Sequence, residues 1–266
     1  MTLKQDIAQA LSELRGRAPL VHCITNYVTA GDTANMLLAA GASPMMADDP
    51  AECAEVTAKA SALTLNLGTP SEARLRAMMN SGLQAQKSGI PAVFDPVGVG
   101  MTRLRREAAA ALIKQRIPTA VRGNLSELAF LAGLDSGEHG VDSAETDILP
   151  QAAAQTASER LGCVCAVTGA ADHIAGDGRS AVIRNGTPLL RKVTGAGCMT
   201  SALCAAFISV SDAFTGAAAG IAFMDICGEL AAERSAGLGG FRAALFDFAG
   251  NITPDILIER LDIYES

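Results

Sequence analysis

Short apolar segments recur along this chain, and each is followed by polar or glycine residues and then by a pattern of helical spacing. Such segments begin near residues 20, 61, 91, 118 and 163. This strand-helix alternation predicts an α/β fold with a mostly parallel central sheet and helices on both faces. In a parallel sheet the carboxyl ends of the strands share one edge, where ligands usually bind. The polar residues that end the segments therefore mark the expected site.

Length and composition limit the classes of protein to consider. The 266 residues, 49% of them hydrophobic and 4% aromatic, contain no linker-like stretch, so we expect a single domain over residues 1–266. A net charge of −7 without a basic run makes nucleic acid an unlikely kind of partner and favours a small ligand.

Cysteine usage and hydropathy predict a cytoplasmic location. The seven cysteines are odd in number and scattered through apolar segments, which indicates reduced thiols rather than a disulfide framework. The first residues lack the apolar core of a signal peptide. Ser209, Ser211, Asp212 and Thr215 interrupt the best membrane-span candidate, residues 202–224, so we expect no membrane association.

A glycine turn opens directly into an apolar helix at residues 193–207. Gly195 and Gly197 allow the backbone to approach a ligand closely, and the helix start leaves N–H groups unpaired. Together with the helix dipole, these groups predict an anion site made by Gly195, Ala196, Gly197 and Cys198. Cys198 in the first turn is also expected to have a lowered thiol pKa. The alternative is a tight loop beside a small buried cysteine.

Polar side chains stand at the ends of several other predicted strands, at Asn26, Asp95, Arg122 and Thr168. Asp95 stands between an apolar strand and a Gly/Pro-rich loop, a position that favours a functional carboxylate. The alternative is that it caps the helix predicted near residues 103–116.

Glu127 lies three residues after Asn124, at the predicted start of another helix. The two side chains could hold a hydrated cation, but Asn followed three residues later by Glu is also the pattern of a capping box. Two acids for a cation, one arginine and a helix-start anion site, all at one sheet edge, match phosphoryl transfer.

Three further segments carry structural predictions. Residues 173–179 and 181–186 read as short strands of an antiparallel flap, with Asn185-Gly186 as a hairpin turn. Residues 133–147, which contain His139, read as a surface loop, and residues 237–241 read as a flexible break.

The chain resembles the hydroxyethylthiazole kinase family, thiamine-salvage enzymes of the ribokinase-like superfamily. The resemblance extends over nearly the whole chain and rests on specific stretches. These are Pro19–Asn26, Gly41–Met46, Leu65–Thr69, Asp95–Gly98, Arg122–Glu127, Val167–Gly169 and Val193–Cys198. It implies a ribokinase-like kinase that uses ATP and Mg²⁺ to phosphorylate the hydroxyl of 4-methyl-5-(2-hydroxyethyl)thiazole. It also implies a homotrimer with active sites between subunits.

The resemblance also implies roles for individual residues. Met46, Gly195 and Asn26 would face the thiazole, Arg122 and Thr168 the nucleotide phosphates, and Asp95 with Glu127 would surround Mg²⁺. Most ribokinase-like kinases have Asp as the base after the glycine turn, whereas Cys198 stands here as in the thiazole kinases. Because the transition state is loose, the N–H groups of residues 195–198 are expected to contribute more than the thiol.

Other functions remain open at this point. Hydroxymethylpyrimidine and pyridoxal kinases share the expected fold, although most have Asp where Cys198 stands. A non-catalytic nucleotide-binding module is a second alternative, and a repair enzyme for damaged nicotinamide cofactors is a third. No Gly-x-Gly-x-x-Gly follows the first strand, which disfavours a dinucleotide-binding domain.

Overall fold

A computed structural model of the protein describes residues 2–135 and 148–265. The described residues form nine strands that belong to one sheet. They are β1 (Leu20–Ile24), β2 (Ser43–Met46), β3 (Ala62–Asn66), β4 (Ala92–Asp95), β5 (Ala120–Gly123), β6 (Val164–Val167), β7 (Asp172–Gly176), β8 (Arg179–Ile183) and β9 (Ile263–Glu265).

The sheet has the order β2-β1-β3-β4-β5-β6-β7-β8-β9. All pairings from β2 to β6 are parallel, whereas β7, β8 and β9 are antiparallel to their neighbours. The mostly parallel sheet and the antiparallel flap at its edge are therefore confirmed. The carboxyl ends of β1, β3, β4, β5 and β6 face the same edge, as the sequence predicts.

Eleven α-helices and one 3-10 helix, Pro188–Lys192, lie in the described residues. The α-helices are α1 (Leu3–Arg17), α2 (Ala30–Ala40), α3 (Cys53–Thr57), α4 (Glu72–Ser88), α5 (Arg103–Lys114), α6 (Leu125–Ala132), α7 (Pro150–Leu161), α8 (Ala196–Ile208), α9 (Ala213–Arg234), α10 (Leu238–Asn251) and α11 (Pro254–Arg260).

Side-chain caps start many of these helices. The side chains of Thr2, Ser71, Thr102, Asp212 and Thr253 each accept a hydrogen bond from a backbone N–H in the first turn. Each such cap stabilises its helix by about 1 kcal/mol. Thr102 caps α5, so the carboxylate of Asp95 is not required for that purpose.

Helices cover both faces of the sheet, and each face has its own hydrophobic core. One core joins the sheet to α1, α2 and α8–α11, and its buried aromatic residues include Phe207, Phe223 and Phe241. The other core joins the opposite face to α4–α7, around Phe94. Because α8 packs across β1, β3 and β4, the start of this helix lies at the edge where those strands end.

Helix α9 is long and apolar enough to cross a membrane by length and composition, contrary to the expectation that no segment would be. In this fold 78% of its most apolar window is buried. Its residues pack against α8 and α10, and this packing explains the apolar composition of the helix.

The prediction of a hairpin turn at Asn185-Gly186 is wrong. The turn that joins β7 to β8 is Asp177-Gly178, both with positive φ. The Asn185 side chain instead donates to Glu229 and to the Arg260 carbonyl. Because these partners lie far along the chain, this tie could not be read from the local sequence.

The flexible break predicted at residues 237–241 is also wrong, because α10 begins there. Gly237 is the N-cap, and Phe241, Leu245 and Ala249 of this helix are buried. These three residues are four positions apart and therefore lie on one side of the helix. Contacts of this side with α9 and α2 outweigh the poor helix propensity of Gly239 and Gly240. His139, in the loop predicted at residues 133–147, lies outside the described residues.

Candidate active site

A chain of buried hydrogen bonds joins the ends of β1, β3 and β4 to the start of α8. Asn26 Nδ2 donates to Asn66 Oδ1 and to Cys198 Sγ, over 3.2 Å in each case. Asn66 Nδ2 donates to Asp95 Oδ2 over 2.9 Å, and Ser201 Oγ donates to the same oxygen over 2.8 Å. The structure thus brings three predicted site residues, Asn26, Asp95 and Cys198, into one network.

Three residues of this region were not predicted as site residues. Asn66 links Asn26 to Asp95, and Ser201 binds Asp95 from one helical turn after Cys198. Thr29 donates from both its backbone N–H and its hydroxyl to Asn26 Oδ1, each over 3.1 Å. The position of Asn66 at a strand end and the three-residue spacing of Ser201 from Cys198 were the available signals.

Gly195 shapes the turn that precedes α8. Its φ of +91° lies in the left-handed region, and an added Cβ would stand 2.6 Å from Thr29 Cγ2. Both facts restrict this position to glycine. No side chain caps α8, so the first-turn N–H groups of Gly197 and Cys198 have no intrahelical partner. This arrangement suits an anion at the helix start.

The thiol of Cys198 does not have the expected electrostatics. Burial and the nearby charge of Asp95 raise its pKa, while hydrogen bonds from Thr29, Asn26 and Asn66 oppose the increase only in part. The expectation of a lowered pKa from the helix start is therefore wrong. Burial among neutral and acidic groups outweighs the helix dipole, so the thiol stays protonated at neutral pH.

Glu127 forms the capping box that its spacing allows, and its second carboxylate oxygen reaches the loop after β4. Its capping box with Asn124 is present, with Oε2 accepting from the Asn124 N–H over 2.8 Å. Its other oxygen, Oε1, accepts from the Gly98 N–H in the loop after β4, also over 2.8 Å. These bonds hold a buried carboxylate beside the end of β4.

Asp95 and Glu127 form a pair of buried acids, with exposures of 2% and 7%. Burial raises the pKa of both carboxyl groups, and the charge of Asp95 raises that of Glu127 further. The Arg122 guanidinium lowers both values in part. A cation between the two carboxylates would remove the remaining electrostatic penalty. In the described part of the chain no third Asp, Glu, His or Cys joins them in a metal-binding group.

Arg122 lies next to both the acids and the glycine turn. One of its terminal nitrogens donates to the Thr168 hydroxyl, while its Nε is buried without a partner in the structure. A Cβ at Gly197 would lie 2.6 Å from Arg122 Nη1, so the guanidinium lies directly against the start of α8. An unpaired buried donor beside an open helix start points to an anionic ligand.

Met46 lies apart from this network, at the carboxyl end of the edge strand β2. It pairs with Cys23 of β1, three residues before Asn26, and is 37% exposed. The structure therefore places it at the same edge of the sheet, without a hydrogen bond to the buried groups.

Proteins of one kinase family are similar to this chain over nearly its whole length. The model of the hydroxyethylthiazole kinase family matches residues 11–255. The chain is 43% identical to the hydroxyethylthiazole kinase of Ruminiclostridium cellulolyticum, over 98% of each chain. The structure of the hydroxyethylthiazole kinase protein from Pyrococcus horikoshii OT3 superimposes with a TM-score of 0.89 at 34% identity, covering 98% of each chain.

A ribokinase-like superfamily protein from Enterococcus faecalis V583 shares the fold, with a TM-score of 0.64 at 13% identity. It covers 92% of this chain and 89% of its own, and supports the ribokinase-like fold class alone. The family match over residues 11–255 and the relatives above show the family of this chain. It belongs to the hydroxyethylthiazole kinase family and phosphorylates the alcohol of hydroxyethylthiazole.

Proposed function

We propose that residues 1–266 form a single cytoplasmic kinase domain that transfers the terminal phosphoryl group of ATP to the hydroxyl of 4-methyl-5-(2-hydroxyethyl)thiazole. The observation that carries this proposal is the meeting, at one sheet edge, of an uncapped helix start, a buried arginine donor and two buried carboxylates. Phosphoryl transfer depends on positioning and on neutralising charge, and these groups supply both.

Arg122 and Thr168 bind the nucleotide phosphates in this proposal. One terminal nitrogen of Arg122 donates to the Thr168 hydroxyl, while its buried Nε has no acceptor among the described residues, so a phosphate oxygen would supply one. Gly195 and Ala196 form the turn, in which the Ala196 N–H donates to the Val193 carbonyl. The free N–H groups of Gly197 and Cys198 then stabilise the negative charge on the transferred phosphoryl group. Cys198 contributes mainly its backbone N–H, since its thiol is neutral and already accepts from Asn26.

Asp95 and Glu127 would hold Mg²⁺, together with oxygens of the phosphates. Mg²⁺ in such sites is usually bound through one or two carboxylates plus phosphates and water, so a pair of acids without a third fits. Burial raises the pKa values of both carboxyl groups, and a bound cation would favour their charged forms. When bound, Mg²⁺ would neutralise the charge on the phosphates.

The thiazole would lie between Met46, Gly195 and Asn26. Asn26 is fixed by Thr29, Asn66 and Cys198, so its orientation is set before substrate arrives. This rigidity suits a residue that positions the acceptor alcohol.

A homotrimer with active sites between subunits is the proposed assembly. Exposed apolar side chains lie on and beside the edge strand β2, namely Met45, Met46, Tyr27 and Val28, with Tyr27 73% exposed. Strand β2 pairs with β1 on one side only, and an edge strand with such exposed side chains is suited to cover by another subunit. Sedimentation equilibrium is expected to give three times the 27.2 kDa chain mass. A monomer at micromolar concentration would contradict the assembly.

Substrate choice is tested by the products of the purified protein with Mg²⁺-ATP. We expect ADP release to be stimulated by hydroxyethylthiazole and a thiazole phosphate ester to appear in the mass spectrum. Hydroxymethylpyrimidine, pyridoxal and a no-acceptor reaction serve as controls. Equal stimulation by pyridoxal, or none by the thiazole, would refute the proposal.

A further inference from the structure

His22 is a fully buried polar ring in the middle of β1, and the proposed chemistry does not use it. Its Nε2 lies 2.7 Å from the carbonyl oxygen of Ala47, and its Nδ1 lies 2.8 Å from the hydroxyl of Thr57. Ala47 is the residue after Met46, and Thr57 ends α3. One side chain of β1 therefore contacts both ends of the segment that follows β2, from Ala47 to Thr57.

The partners determine which nitrogen carries the hydrogen. A carbonyl oxygen only accepts, so Nε2–H donates to Ala47. Burial lowers the pKa of His22, which keeps the ring neutral at neutral pH and leaves Nδ1 as an acceptor. The Thr57 hydroxyl lies 2.8 Å from Nδ1 and 2.9 Å from the Cys53 carbonyl, and its single hydrogen can be donated to either acceptor. With its own hydrogen on Nε2, the ring donates to Ala47 and has the Thr57 hydroxyl as its neighbour at Nδ1.

The hydrogen bond from His22 to Ala47 lies where the chain leaves the edge of the sheet. Strand β2 is at the edge of the sheet and pairs only with β1, through residues 43–46. Beyond Met46 the chain leaves the sheet, and the His22 ring is the first side chain to hold it. The next tie is the Asp48 carboxylate, which accepts from Arg74 Nη2 over 2.7 Å in an exposed position. The buried tie is the stronger constraint on the carbonyl that follows Met46.

We propose that His22 is a positioning residue for the acceptor side of the site. By holding the Ala47 carbonyl, it fixes the backbone and hence the side-chain direction of Met46 toward the thiazole. This inference rests on the proposed role of Met46 at the substrate. It predicts that loss of the Nε2 bond impairs binding of the thiazole and leaves binding of ATP intact, because the nucleotide groups lie on β5, β6 and α8.

Two substitutions of His22 separate the ring's contacts. An asparagine amide reaches about as far as Nδ1 and so keeps the Thr57 contact, whereas a glutamine amide reaches the position of Nε2 and can donate to Ala47. We expect H22N to raise the KM for the thiazole about tenfold, because small displacements at a reacting group are costly, with the KM for ATP unchanged. H22Q is expected to recover most of the thiazole affinity.

A matched control removes a buried polar tie at the other edge of the sheet. Asn185, 8% exposed, donates to Glu229 and to the Arg260 carbonyl and lies beyond β8. N185A is expected to lower the unfolding temperature without changing either KM. If H22N behaved like N185A, or if it raised both KM values together, the role of His22 would be structural only and the inference would be overturned.

The variant M46A tests the proposed role of Met46 independently of His22. M46A is expected to raise the thiazole KM with the ATP KM unchanged. If M46A left the thiazole KM as in the wild type, the proposed role of Met46 would be wrong. If M46A raised it and a folded H22N did not, the proposed role would survive and the inference about His22 would fail.

Discussion

Replacing Asp95 by asparagine is expected to lower kcat by roughly 10³-fold without lowering the unfolding temperature. Asparagine has the same shape, and its side-chain oxygen can still accept from Asn66 and Ser201, so the buried network keeps its hydrogen bonds. The lost quantity is the negative charge, which in the proposed site holds Mg²⁺ with Glu127. The Mg²⁺ concentration required for half-maximal activity is expected to increase as well.

The pH dependence of stability gives a second measurement on the same variant. Because burial raises the pKa of Asp95 above its unfolded value, the protonated group favours the folded state. The ligand-free wild type therefore loses this contribution as the pH rises through the raised pKa, and D95N does not. The unfolding temperature of D95N minus that of the wild type should increase from acid to neutral pH.

Asp212 provides the matched control for D95N. It caps α9 from an exposed position at the far end of α8 from the glycine turn, and asparagine is an equally good cap. D212N is expected to keep wild-type activity. Near-normal turnover and a normal Mg²⁺ requirement in D95N would show that Asp95 is not the metal residue.

Replacing Arg122 by lysine is expected to lower kcat/KM for ATP by about 10²-fold. Lysine keeps the positive charge near Asp95 and Glu127, whose pKa values Arg122 lowers. It cannot reproduce the planar fork that places one nitrogen on Thr168 and leaves Nε for another ligand. The KM for the thiazole should change little, because Asn26 and Met46 are untouched.

R122M separates charge from geometry at this position. Without the cation, the pKa values of the two carboxyl groups should increase further, so the protein should be less stable than R122K at neutral pH. R184M is the control, since exposed Arg184 lies over the Tyr264 ring at the flap. If kcat/KM for ATP in R122K equalled that of the wild type, Arg122 would not be a nucleotide-binding residue.

Local patterns were sufficient for much of the fold. The apolar segments predicted to begin near residues 20, 61, 91, 118 and 163 are the strands β1, β3, β4, β5 and β6, each of which begins within two residues of its predicted position. Helix α7 was missed although Pro150 and Gly162 stand at its two ends as start and stop signals. Strand β9 could not be predicted, because its three residues are a strand only through pairing with β8.

The candidate site was predictable where a single position carries the signal. Asp95, Arg122 and Gly195 stand at strand or helix ends, and topology alone brings such ends together. The network through Asn66 and Ser201 depends on how α8 crosses the sheet, a tertiary feature that no local window contains. The error on Cys198 has the same origin, because its pKa depends on burial and on Asp95 rather than on its place in the helix.

The most direct test of the proposed site is the crystal structure of the protein with Mg²⁺, a non-hydrolysable ATP analogue and hydroxyethylthiazole. We expect the terminal phosphate at the N–H groups of Gly197 and Cys198, with Arg122 on the phosphates and Mg²⁺ at Asp95 and Glu127. The thiazole should lie between Asn26 and Met46. Phosphates bound elsewhere, or a metal ion that contacts neither acid, would contradict this account of the site.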